Sequence, residues 1–131
     1  MKVGDTFLYP LSPQNEEHLW IVLTNPDTDD AILIVNVTTA YSNDKDRIDT
    51  TVSLNAGEHQ FLKKASYVYY RGAQVKKVAE LRGEEKMGRL KMHDPCSSNL
   101  IGLARAGIVA SKHCSKVLQR FYSERKDIKP K

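Results

Sequence analysis

The sequence predicts a mainly β domain: a small barrel followed by one or two C-terminal α-helices. Three observations carry that expectation. About six short apolar or alternating runs, separated by turn residues, fill the first two-thirds of the chain, a spacing that favours a barrel over a parallel sheet with crossover helices. After Gly88 the apolar period lengthens to that of a helix. The chain has 131 residues, 40% hydrophobic and 27% charged, which suits one domain with one core. Barrel strands are expected over about 3–82, helical segments over about 94–123, and a frayed charged tail over 124–131.

Each element has a local reason. Gly4-Asp5-Thr6-Phe7-Leu8-Tyr9 reads as a strand entered through a glycine turn. Pro10, Pro13 and the polar residues between Ser12 and Glu17 form a loop. Residues 18–24 form a second strand, stopped by Asn25-Pro26-Asp27. Residues 31–38, AILIVNVT, are a continuous apolar run, as in a strand buried on both faces, with Asn36 its one polar side chain near the end. Ser42 to Arg47 is a charged loop. Residues 48–54 alternate with period two, so one face is wet. Asn55-Ala56-Gly57 is a turn, and 66–70 (SYVYY) and 73–78 (AQVKKV) read as two further strands. Glu84-Glu85-Lys86 reads as a solvated turn. Asp94-Pro95 is an N-cap followed by proline at the first helical position. Leu100, Ile101, Leu103, Ala104, Ile108 and Val109 then recur at helical spacing, and Gly107 weakens that helix. A break at Ser111-Lys112-His113 precedes a second amphipathic helix marked by Val117, Leu118, Phe121 and Tyr122.

Charge is divided unevenly. Residues 1–65 hold 5 Lys and Arg against 10 Asp and Glu, whereas residues 66–131 hold 15 against 6. A basic C-terminal half suits a polyanionic partner. No apolar run reaches the ~18 residues of a membrane span. Met1 to Asp5 has no signal-peptide core, so a cytoplasmic protein is expected. Cys96 and Cys114 lack Cys-x-x-Cys spacing and are expected as structural thiols rather than a disulfide or metal site, although a helix dipole at Cys96 would lower its pKa. No metal or cofactor is expected.

Nucleotide-binding glycine loops, HExxH and GxSxG are absent from the sequence. Two histidines remain as candidates. His18 stands at the mouth of an apolar strand, and His59 lies in the loop Gly57-Glu58-His59-Gln60-Phe61. A histidine can accept a proton from a hydroxyl and return one to a leaving oxygen, which is what RNA cleavage by 2′-hydroxyl attack requires. Arg71, Lys63 and Lys64 are candidates to stabilise charge on phosphorus, and Thr38, Thr39 and Ser66 supply hydroxyls. Tyr67 and Tyr69 should share one strand face and Tyr70 the other, and an exposed tyrosine such as Tyr69 can stack on an unpaired base. His93 and His113 read as helix-flank residues.

The order of these runs resembles a known family. VGDTFLYPL (3–11), HLWIVLTNPD (18–27), LIVNVTTAY (33–41), FLKKASYVYYRGAQVKKV (61–78) and GRLKM (88–92) resemble successive elements of the MazF/PemK-like toxins over about residues 3–110. The resemblance implies a small SH3-like (MazF/PemK/CcdB-type) barrel and a homodimeric, metal-independent endoribonuclease that cuts single-stranded RNA. An antitoxin protein would be its neutralising partner. It places the family's catalytic arginine position at His18, its threonine at Thr39 or, one register away, Thr38, and its serine at Ser66. Histidine lacks arginine's permanent charge and forked geometry, so the chemistry at His18 would be that of an acid or base. On this reading His18 and His59 share one pocket with Thr38, Thr39 and Ser66. The alternative is a non-catalytic barrel module that binds RNA or a protein partner.

Overall fold

The structure is a computed structural model, and it describes residues 1–10, 17–39, 49–57, 59–60 and 62–130. The loop around Pro13, the charged loop Ser42 to Arg47, and Glu58 and Phe61 beside His59 lie outside the described residues.

Among the described residues, six antiparallel strands form one sheet that curls into a half-barrel: β1 (Thr6–Pro10), β2 (Glu17–Val22), β3 (Ala31–Thr39), β4 (Ser53–Leu54), β5 (Ser66–Lys77) and β6 (Lys91–His93). Their order is β4-β5-β3-β2-β1-β6, so β4 and β6 are the two edges. Three helices accompany them among the described residues: α1 (Val78–Lys86), α2 (Ser98–Ala110) and α3 (Lys116–Arg125). The mainly β architecture with two C-terminal helices agrees with the sequence.

Several elements differ from expectation, each for a physical reason. The two runs 66–70 and 73–78 are joined in one twelve-residue strand, β5, which ends at Lys77. They looked separate because the register slips between them. Ile34 pairs Gln74, then Asn36 pairs Tyr69, so Val35 alone spans the four residues from Tyr70 to Ala73. Such a bulge bends the strand and sharpens its twist. Val78, expected at the end of a strand, and the residues after it through Lys86, including the expected solvated turn, form α1 instead. That helix buries only Leu81, so it has almost no apolar period to read. Of the alternating run 48–54, the described residues from Asp49 on hold only the two-residue strand β4. Helix α2 starts at Ser98, with the Ser97 hydroxyl accepting from the Leu100 amide at 3.1 Å. Asp94 is not the cap, and its carbonyl is taken by the Thr6 hydroxyl at 2.7 Å.

The sheet separates two cores. On one face Leu8, Leu19, Ile21, Leu33, Val35, Val37, Val68 and Tyr70 pack against Leu100, Ala104 and Ile108 of α2 and Tyr122 of α3. On the other, Phe7, Trp20, Val22, Ile32 and Ile34 pack against Leu81 and Leu90. Strand β3 feeds both cores alternately, as its unbroken apolar run requires.

Polar joints fix the helices to the first core. Asp27 accepts from the amides of Asp29 and Ala31, both at 2.9 Å, and from Arg125 Nε of α3 at 2.7 Å. Asn25 accepts from the Val3 amide at 2.9 Å and donates to the Ile128 carbonyl at 2.7 Å. The Asn25-Pro26-Asp27 turn is therefore a latch for the C-terminus, and the expected frayed tail is tied down as far as Ile128. The second joint is Tyr70, whose hydroxyl donates to the Ala104 carbonyl at 2.8 Å.

Gly107 makes the Tyr70 joint possible. A Cβ there would stand 1.9 Å from the Tyr70 hydroxyl oxygen. Gly107→Ala should therefore destabilise the fold by about 3 kcal/mol, despite alanine's better helix propensity, because the overlap is with a buried ring. Urea unfolding of the two proteins measures the difference. An equal or more stable variant would mean that the ring moves aside freely.

Candidate functional site

Strand alternation decides which side chains meet. His18 shares a face with Trp20 and Val22, and pairs across the sheet with Tyr9. The ladder sets Leu19 opposite Val37, so the next pair along it is His18 and Thr38. Thr38 pairs Tyr67, and Tyr67 pairs Ser53. One transverse row thus runs Tyr9, His18, Thr38, Tyr67, Ser53 over five strands. The adjacent row is Phe7, Trp20, Asn36, Tyr69. Tyr67 and Tyr69 meet edge to face, with centroids 6.3 Å apart. Tyr9, His18, Thr38 and Tyr69 are half-buried, so this end of the face is within reach of a ligand.

Helix α1 borders the row at Tyr9. Burial raises the Tyr9 pKa, the Glu84 carboxylate raises it further, and Arg89 opposes both. Arg89 grips Glu84 with two hydrogen bonds, Nε to Oε2 at 2.5 Å and Nη2 to Oε1 at 3.0 Å. That cation is near the row but already occupied. The Trp20 indole donates to the Tyr9 carbonyl at 3.0 Å and holds the start of the row.

Asn36 is the anomaly on this face. It is 1% exposed, yet neither its Oδ1 nor its Nδ2 has a hydrogen-bond partner among the described residues. A buried polar group left unpaired costs about 1–3 kcal/mol. Opposite it, at the β5 bulge, a Cβ on Gly72 would come within 2.5 Å of Asn36 Oδ1 and 2.7 Å of the Tyr69 ring.

The remaining expected site residues lie elsewhere. Thr39 and Ser66 pair with each other one step further along β3 and β5, on the opposite face from Thr38. The Ser66 hydroxyl is buried and donates to the Lys64 carbonyl at 3.0 Å, closing a turn. His59 is buried, its Nε2 lying 3.3 Å from the Thr6 hydroxyl and 3.0 Å from the Asp94 carbonyl. Thr6 sits on the face of Leu8 and Ile21, so His59 is on the other side of the sheet from His18. The single pocket expected for His18, His59, Thr38, Thr39 and Ser66 is thus divided: His18 and Thr38 stand together, and the other three are across the sheet. His59 ties its loop to the β1–β6 edge, with His93 at a ring distance of 5.8 Å. His93 is therefore a β6 residue rather than a helix flank. Lys63 and Lys64 are exposed beside the start of β5. Arg71, at the bulge, reaches His113 Nδ1 at 2.8 Å. Burial pushes the Cys96 thiol up to about 11, the reverse of activation by a helix dipole. Both cysteines are free thiols.

Sequence reasoning missed three parts of this arrangement. Tyr9 and the Glu84–Arg89 pair gave no signal, because only strand register and α1 bring them to His18. The third is a buried carboxylate. Asp49 accepts from Ser111 Oγ at 2.6 Å, and from Thr51 Oγ1 at 2.5 Å and the Thr51 amide at 3.0 Å, joining the segment before β4 to the end of α2. A hollow of about 370 Å³ between Met1, Lys2, Asp5, Pro26, Val78 and Pro130 holds none of the candidate residues.

Comparison with family models, with curated proteins and with solved structures found no match. Among the described residues no helix is long and apolar enough to cross a membrane.

Asp49 gives a pH test of its joint. Burial alone would raise its pKa, but the hydrogen bonds from Ser111 and Thr51 outweigh it, helped by His113, and hold it below the usual carboxylate value. The unfolded chain then binds the proton more readily, so this contribution is fully present above about pH 4 and is lost as pH falls through the lower native pKa. Asp49→Asn should cost about 2 kcal/mol at neutral pH. The gap to wild type should narrow below about pH 4. Urea unfolding across pH reads it, and a gap that stays constant down to acid unfolding would refute the assignment.

Proposed function

We propose that the protein binds single-stranded RNA across the sheet face that carries Tyr9, His18, Thr38, Tyr67 and Tyr69. One observation carries this reading: a row of aromatic, imidazole and hydroxyl groups crosses five strands at the end of a face that α1 borders, half-exposed at Tyr9, His18 and Thr38, exposed at Ser53 and buried at Tyr67. Sheet faces bearing aromatic rings bind RNA by stacking unpaired bases, and hydroxyls and imidazoles hydrogen-bond to phosphate and ribose. The basic residues 66–131, together with Lys63 and Lys64 just before β5, supply the long-range attraction.

Cleavage is the second reading. It is favoured by His18 standing beside Thr38 and by the resemblance to MazF/PemK-like endoribonuclease toxins, with which a homodimer, an antitoxin partner and an SH3-like barrel would go. His18 would take the proton of the attacking 2′-hydroxyl, and Thr38 would hold a phosphate oxygen. The weak points are the second proton and the charge. The phenol of Tyr9 holds its proton more tightly than usual, and Arg89 is engaged by Glu84. Binding therefore ranks above catalysis.

Fluorescence anisotropy with a labelled single-stranded RNA tests the first reading. Affinity should fall steeply with salt, and Tyr69→Ala should weaken it by about tenfold. The same RNA, incubated with protein in EDTA and run on a gel, tests the second. Cuts lost in His18→Ala but kept in His59→Ala would establish cleavage at this face. Bound but intact RNA would leave a binding module. No binding and no cuts would exclude both.

A further inference from the structure

Resting on the RNA-binding reading, we infer that Asn36 is a base-reading residue: one unpaired nucleobase stacks on Tyr69 and hydrogen-bonds its edge to the Asn36 carboxamide. Asn36 is 1% exposed and both of its amide atoms are unpartnered among the described residues. Its strand partner is Tyr69, half-exposed and on the same face. The β5 bulge at Gly72 gives the amide its space. The Gly72 Cβ position is 2.5 Å from Asn36 Oδ1 and 2.7 Å from the Tyr69 ring, so amide, ring and bare backbone meet at one spot. Any other residue at 72 would fill it.

The chemistry of the amide suits a base edge. A carboxamide presents one acceptor and two donors side by side. Each unpaired base presents a neighbouring donor and acceptor: N6–H and N1 in adenine, N4–H and N3 in cytosine, N1–H and O6 in guanine, N3–H and O4 in uracil. Two parallel hydrogen bonds would then satisfy both Asn36 atoms at once. Tyr69 stands at the entrance and must turn outward to admit the base, a rotamer change that half-exposed side chains make rapidly. The ring then has a base to stack on. Other nucleotides on the row from Tyr9 to Tyr67 would be held without such readout.

An abasic scan decides. RNAs of about eight nucleotides, a length that one small β domain covers, each carry a single abasic site at a different position. Anisotropy gives the affinity of each for wild type, Asn36→Leu and Tyr69→Ala. In wild type one position should cost about tenfold, the worth of one bidentate base contact. In Asn36→Leu intact RNA should bind about tenfold more weakly, and that position should no longer matter. Tyr69→Ala, a half-exposed site, should erase most of the same penalty. Thermal melting should show Asn36→Leu at least as stable as wild type, since an apolar side chain of similar size removes the unpaired amide. A flat scan, or the same penalty in Asn36→Leu, would overturn base reading while RNA binding stands. No binding of any RNA by wild type would remove the RNA-binding reading itself, and base reading with it.

Discussion

The molecule depends on β3 being buried on both faces. Its backbone is paired on each side, to β2 and to β5, and its side chains alternate between two separate cores. Leu33, Val35 and Val37 hold the α2–α3 side, and Ile32 and Ile34 the α1 side. A slip of one residue would exchange these two sets and expel Asn36 and Thr38 onto the other face. Register in β3 is therefore under strong constraint, and the position of every side chain in the candidate site follows from it.

The helices then make the two faces unequal. On the first face α2 and α3 cover the sheet, held by the Tyr70 hydroxyl, by Asp49 with Ser111, and by the Asn25–Asp27 latch on α3. The histidine on that side, His59, is structural. On the second face α1 has nine residues and buries one leucine. It closes the core near Trp20, and beyond it Tyr9, His18 and Thr38 of the last row are only half-buried. The half-exposed aromatic and polar groups collect where the short helix ends. Asn36 sits at that boundary, inside the packed region by burial and outside it by hydrogen bonding. That mismatch between position and chemistry separates it from an ordinary core residue.

The histidine at the mouth of the strand Leu19 to Val22 has a physical explanation in the same terms. It is one alternation step from Trp20, where the buried part of its face ends. An apolar residue there would be half-wet, and a charged one would stand against Tyr9 and Thr38. Histidine fits both conditions. His59 resembled it in sequence as a polar residue near a turn, but its two hydrogen bonds at the β1–β6 edge make it a loop anchor.

Local sequence was sufficient wherever one period dominated. The two-faced β3 run, the strand to Val22, and the two helices bearing Leu100 to Ile108 and Leu118 to Tyr122 were legible because hydrophobic spacing reports local geometry directly. The Asn25-Pro26-Asp27 turn was legible too, though its grip on Arg125 and Ile128 was not. Helix α1, with a single buried residue, and β6, whose three residues only add an edge to β1, carry too little apolar pattern to announce themselves. Continuity through the β5 bulge depends on pairing with β3, which no local window contains. The grouping of candidate residues was beyond the sequence for the same reason. Thr38 and Thr39 are neighbours in the chain but face opposite cores, and His18 and His59 lie on opposite sides of one sheet. The sequence by itself determined which residues are apolar, where turns fall and which side chains can do chemistry. Tertiary structure alone decided which of those side chains share a face, because strand register and helix coverage are set by contacts between residues far apart in the chain.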